Sequence, residues 1–180
     1  MPKTQEQIMQ EYSISVVRHC TFVRIAGQWI GGIPDQQLNA HDLSKHSEEE
    51  APAYADWFFG TKSDPDVFDR AWLHHQNHNP HHWEYWIARS THTSNPDREI
   101  TNCLPMPEVY IREMVADWHG AGRQFNGHWD ISAWFNSHRC GIDLHPNTWN
   151  LLYDVLKQIG YEVDYAGDLK AGPEFMPPTA

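Results

Sequence analysis

The chain predicts an all-α fold, a single-domain helical bundle, on three observations. Apolar residues recur at i, i+3, i+7 and i+10, the period that lays one stripe of a helix against a core. Glycine and proline punctuate these stretches at helix-length intervals, and the period-two alternation of a strand is scarce. At 180 residues the chain is long enough for one compact core, with little left for a second. Residues 1–160 are read as the domain, and 161–180, rich in Pro, Gly and acids, as a peripheral tail.

The first helix is expected over residues 4–30, where Val16, His19, Val23 and Ala26 share a stripe until Gly31-Gly32 ends it. His19 therefore lies on an apolar face. A second helix begins near Pro34-Asp35, and if it continues, Leu38, His41, Asp42 and Lys45 fall at i, i+3, i+4 and i+7 on one side. Ser47 then reads as an N-cap. Glu48, Glu49 and Glu50 occupy the first turn of a third helix that runs to Gly60, where the helix dipole explains them without chemistry. A fourth helix spans 64–76 with Val67, Phe68, Ala71, Trp72 and His75 on a broad face, and Pro80 opens a short fifth through Trp86. Residues 90–104 lack periodicity and read as a surface excursion. Beyond Pro105 and Pro107, a helix buries Ile111, Met114, Val115 and Trp118, carries Asp117 at its inner edge, and is stopped by Gly120 and Gly122. Two more helices complete the set, over 131–139 and 146–159, the latter with Trp149, Leu152, Tyr153 and Leu156 as its stripe.

Composition narrows the function. A formal charge of −11 with 13 Lys plus Arg argues against an extended nucleic-acid footprint, which needs a basic stripe, but leaves room for a small anionic substrate. Cys20, Cys103 and Cys140 are odd in number and form no CxxC pair, which suits a reducing compartment. The first residues are polar, no run reaches membrane-span length, and a cytoplasmic location is expected, with no membrane partner and a homo-oligomer permitted. Thirteen histidines and nine tryptophans are a heavy load for this length, and the histidines concentrate between His74 and His82.

Two imidazoles and two carboxylates, His19, His41, Asp42 and Asp117, come from three helices. This mixed nitrogen and oxygen set suits a catalytic divalent transition metal better than Ca²⁺ or a structural zinc. An apolar-face histidine and an edge aspartate each need a partner on burial, and one ion satisfies both.

The order His19, His41-Asp42, Asp117 resembles the HD-domain superfamily of metal-dependent phosphohydrolases, whose H…HD…D pattern sits in an all-α fold. The resemblance implies one divalent metal at those four residues: Mn, Fe, Co, Ni or Zn, with Mg permitted. The run HDLSK, residues 41–45, is similar to the HDxGK variant of HD phosphodiesterases and HD-type di-iron oxygenases, with Ser44 where Gly is usual. Two-metal members add two histidines between the HD pair and the last aspartate, and the aspartate at the position of Asp42 bridges both ions. The cluster His74, His75, His78, His81 and His82 supplies candidates, one from His74 or His75 and one from His81 or His82, because Pro80 allows the second segment to fold back. More broadly, residues 41–123 resemble a family of small phage and bacterial proteins with HDLSK, AWxHHxxxNxHHWEYW and MPExYIREMVADWxGAGR segments.

The activity implied is hydrolysis of a phosphoric ester or phosphoanhydride, by a phosphohydrolase or phosphodiesterase acting on a small phosphorylated molecule, a nucleotide before others. Lys45 and Arg123 are the cations expected near the substrate phosphate, and His119 is a candidate general acid. The plainer alternatives are surface salt bridges for Lys45 and Arg123 and an exposed helix end for His119. Trp72, Trp83, Trp86 and Trp118 are read as core rather than as a base-stacking platform. Two rival functions are a di-iron oxygenase of HD type and a non-catalytic module that binds a nucleotide or a protein.

Overall fold

The structure, a computed structural model, describes residues 2–88, 102–170 and 172. Seven α-helices occur among them: α1 Gln5–Ile30, α2 Asp35–Ala40, α3 Ala51–Phe59, α4 Pro65–His78, α5 Glu108–Asn126, α6 Ser132–His138 and α7 Pro146–Gln158. The described residues contain no strand, and isolated bridges join Ile87 to Cys103 and Val163 to Leu169. The all-α reading therefore holds. Most of the excursion expected over 90–104 lies outside the described residues. No helix among them is long and apolar enough to cross a membrane.

Helix α1 starts at a reciprocal capping box in which the Thr4 hydroxyl accepts from the Gln7 amide and the Gln7 side chain accepts from the Thr4 amide. It pairs most extensively with α5. Gly120 sits at their crossing: a Cβ there would lie 2.6 Å from Val23 Cγ2 and 2.8 Å from the Val23 backbone nitrogen. The glycine read as a helix stop instead lets two helices approach, and α5 continues to Asn126 before Gly127, at φ 78°, turns the chain.

Two apolar clusters result. Val23, Ile111, Val115, Phe135 and Leu152 belong to one, built by the C-terminal part of α1 with α5, α6 and α7. Tyr12, Val16, Tyr54, Ala55 and Ala71 belong to the other, where the N-terminal part of α1 packs on α3 and α4. His19 lies between Val16 and Val23, on the seam of the two. Tyr161 and Leu169 are buried in the first cluster, so the segment read as peripheral contributes core side chains.

Local structure departs from the sequence reading at the HD pair. α2 ends at Ala40, Asp42 takes a left-handed conformation at φ 59°, and Leu43–His46 form a 3-10 turn. Asp is among the residues that tolerate this region, at a cost of roughly 1 kcal/mol. The predicted continuous helix is thus broken at the residue whose two oxygens the site uses. The third helix starts later than expected, at Ala51, and Glu50 precedes it fully buried. Asp64 caps α4 by accepting from the amides of Asp66 and Val67. Pro80 leads into a turn and a short 3-10 segment, Trp83–Trp86, rather than an α-helix.

Candidate metal centre

His19 from α1, His41 and Asp42 from the break after α2, and Asp117 from α5 converge on the seam. His19 Nε2 lies 2.9 Å from Asp117 Oδ1 and 3.3 Å from Asp42 Oδ2, and His41 Nε2 lies 3.4 Å from Asp42 Oδ2 and 3.6 Å from Asp117 Oδ1. Ligands held about 2.1 Å from one ion stand ~3.0 Å apart at octahedral angles and ~3.4 Å apart at tetrahedral ones. The four atoms thus have the spacing of a coordination shell.

A second group adjoins the first through the other oxygen of the same aspartate. Asp42 Oδ1 is 3.4 Å from His75 Nε2 and 3.5 Å from His81 Nε2, and His75 Nε2 is 2.9 Å from His82 Nε2. The chain folds back after α4, as the position of Pro80 suggested, and delivers His75, His81 and His82 together. These sets of four, sharing Asp42, each have ligand atoms within 4.8 Å of one another.

The chemistry of the donors favours a cation over direct pairing. His19 Nε2, His41 Nε2, His81 Nε2 and Asp42 Oδ1 are buried without a hydrogen-bond partner, while Lys45 is ion-paired to Asp42 Oδ2. Their mutual approaches lie at ion-pair distance but lack hydrogen-bond alignment, so each lone pair faces a shared space. Unpaired buried acceptors of this kind cost about 1–3 kcal/mol apiece, a penalty that bound divalent ions would remove.

Outside the ligands stand two buried carboxylates. Glu113 Oε1 is 2.9 Å from His41 Nδ1 and 3.4 Å from His81 Nδ1, while its Oε2 accepts from the Gln37 amide at 2.5 Å. Glu50 divides its oxygens between His75 Nδ1 at 2.9 Å and His74 Nδ1 at 2.7 Å. A carboxylate that accepts from Nδ1–H leaves the Nε2 lone pair free to ligate. Glu113 therefore orients one imidazole of each group, and Glu50 orients His75.

Electrostatics leave the carboxylates ionised. Against the cost of burial, His41 and Lys45 hold the Asp42 carboxyl well below its ordinary range, and His19 and His41 do the same for Asp117. Burial, with His81 and His75 nearby, keeps His82 neutral, and burial outweighs Glu50 and Asp42 to lower His75. Ionised acids and neutral imidazoles are the forms that bind metal. Burial opposes a charge on His41, yet Asp42, Asp117 and Glu113 raise it to about 10. Together with Lys45, whose Nζ is 2.7 Å from Asp42 Oδ2, the protonated imidazole balances the two aspartates in the metal-free protein, and an ion at Nε2 would displace its proton.

Two cavities open onto the centre, of about 380 and 580 Å³. They share Trp72, His82, Asp117, Ala121 and Phe125 as lining residues. The smaller also touches His19, His75 and Lys45.

A family model described as "Family of unknown function (DUF5662)" matches residues 9–158. The chain belongs to the DUF5662 family. No curated protein and no solved structure matches it. The matched span of this DUF5662 member contains every residue of the centre and both orienting glutamates.

Seven of the eight histidines and aspartates expected as ligands meet in the DUF5662 site, together with Lys45. His74 instead pairs with Glu50 and stacks on His78. Arg123 is turned elsewhere: its guanidinium donates to the Gly127 carbonyl and lies over the rings of Phe22 and Trp129. His119 is neither at a helix end nor exposed. It is buried in mid-α5, donates from Nδ1 to the Val115 carbonyl, accepts from the Tyr161 hydroxyl, and is lowered by burial to about 4. Its partners belong to the core. Glu50 and Glu113 escaped the sequence reading. Glu113 had a faint signal, lying one turn before Asp117 on the same helical face.

Proposed function

We propose that this protein is a dinuclear metal-dependent phosphohydrolase or phosphodiesterase acting on a small phosphorylated substrate. The single observation that carries the reading is Asp42, which sends one oxygen to each of two imidazole groups from a buried, left-handed turn. The H…HD…D order of His19, His41-Asp42 and Asp117 supports it. Bound ions would lower the pKa of a water and polarise a phosphoryl oxygen.

The remaining roles belong to the chain. Lys45 offers a cation beside Asp42, at the wall of the smaller cavity, where charge on a phosphoryl group is offset. Glu113 and Glu50 hold the imidazoles in register. Trp72 and Phe125 line both cavities where they adjoin the centre. The test compares metal content and hydrolysis in the wild type and Asp42→Ala, with Mn²⁺, Co²⁺, Ni²⁺, Fe²⁺ or Mg²⁺ and a panel of nucleotides and bis(p-nitrophenyl) phosphate. About two metal equivalents and turnover are expected in the wild type and neither in the variant. Unchanged metal in Asp42→Ala sinks the site, and a loaded protein inert across the panel sinks the reaction.

A second reading, an HD-type di-iron oxygenase, is favoured by one observation: Lys45 is the sole Lys or Arg among the described residues lining either cavity. Tight iron binding with substrate-dependent oxygen uptake would select it. Oxygen-independent phosphate release would exclude it for the substrate tested.

A further inference from the structure

The larger cavity has a composition that the phosphoryl chemistry does not use. Trp72, Trp83, Trp118, Trp134 and Phe125 contribute its aromatic walls. Glu84 and Asp130 line it as well, and no Lys or Arg does among the described residues. Glu84 Oε2 is buried without a hydrogen-bond partner, and His82 Nδ1 stands 3.8 Å from it. Against burial, the amide and hydroxyl of Ser132, which donate to Asp130, hold its carboxyl below its ordinary range.

We infer that this cavity binds the ammonium end of the substrate, so that the substrate class is a small phosphoester with a cationic amine or quaternary ammonium head. The inference rests on the phosphohydrolase reading for the other end of the molecule, which meets Lys45 and the metal centre in the smaller cavity. Ring faces are negative and attract a cation, best of all those of tryptophan, and nearby carboxylates strengthen the attraction where water is excluded. A second anionic group would meet the Asp130 carboxylate, with no Lys or Arg beside it among the described lining residues, and Glu84, whose carboxyl is raised by burial. That disfavours di- and triphosphates. The ring geometry also disfavours a sandwiched base: Trp118 and Trp134 touch at 5.2 Å between centroids and are inclined by 50°, and the face of Trp134 stacks on His138 at 5.0 Å.

The test titrates the metal-loaded protein with choline, its uncharged carbon isostere 3,3-dimethylbutan-1-ol, phosphocholine and a nucleoside monophosphate. Calorimetry and tryptophan fluorescence are the readouts. Choline should bind at least tenfold more tightly than the isostere, and phosphocholine more tightly than the nucleotide. Trp83→Leu and Asp130→Asn should each erase the preference for choline while the metal content stays that of the wild type. Equal affinity for choline and its isostere, or tighter binding of the nucleotide, overturns the proposal. The two readings fail separately. Preference for choline without turnover of any phosphoester refutes the hydrolase and supports the cavity assignment, whereas phosphoester turnover without that preference does the reverse.

Discussion

Glu113→Gln gives the sharpest test of how the centre is held. The wild-type carboxylate, 4% exposed, can only accept, so it fixes the proton of His41 and of His81 on Nδ1 and directs both Nε2 lone pairs inward. Glutamine keeps the shape but offers one acceptor and one donor. If its oxygen faces the imidazoles, its NH₂ meets the Gln37 amide that now donates to Oε2; if it flips, the NH₂ faces Nδ1 and favours the wrong tautomer. Loss of such an orienting partner weakens metal binding by roughly 10- to 100-fold, or about 1.4–2.7 kcal/mol. The penalty should be larger in the His41 group, whose contact is 2.9 Å, than in the His81 group, at 3.4 Å. Chelator competition with Co²⁺, read by its visible spectrum, resolves both constants, and circular dichroism checks the fold. Two constants within twofold of the wild type in a folded variant would refute the orienting role.

Packing and charge set three further outcomes. His119 is lowered to about 4, so the unfolded chain binds its proton first. The stability this confers is complete above pH ~6.5 and is lost as pH falls through 4, about 3 kcal/mol in all; denaturant titrations at several pH values should show a shallower acid slope in His119→Gln, and an unchanged slope refutes the assignment. Gly120→Ala should cost about 1–3 kcal/mol because its Cβ meets backbone, whereas Gly122→Ala, with its nearest neighbour at 3.5 Å, should be neutral or stabilising by up to about 1 kcal/mol; the opposite order of melting temperatures would refute the close crossing of α1 and α5. Lys45→Met should lower kcat on bis(p-nitrophenyl) phosphate by roughly 10²- to 10³-fold and Arg123→Ala should leave it unchanged, since Arg123 faces Gly127, Phe22 and Trp129; equal losses in steady-state assays would return Arg123 to the site.

The helical periodicity carried much of the architecture. His19 shares its stripe with Val16 and Val23, and a side chain at that phase must enter the core, whatever the rest of the fold. The same reasoning aimed Asp117 inward beside Val115 and Trp118. It aimed His41, Asp42 and Lys45 to one side for an incomplete reason, because the continuous helix assumed there stops at Ala40 and the left-handed Asp42 re-aims the 3-10 turn that carries Lys45. Gly120 misled for a related cause. A glycine is a stop by propensity, but at a helix crossing its missing Cβ is the contact, and only the partner helix reveals which applies.

From the sequence alone came the helix pattern and a set of inward-facing imidazoles and aspartates whose chemistry suits divalent ions. Tertiary structure decided which acids joined them. Glu50 looked like a helix-start carboxylate, and Glu113 one more polar residue on α5, because a glutamate's helix preference is the same buried or exposed. Its burial is tolerable only where a partner stands ready, and for Glu113 that partner is His41, 72 residues away. The split of Asp42 between two groups and the separation of Arg123 and His119 from them likewise depend on contacts between helices, which no local pattern encodes.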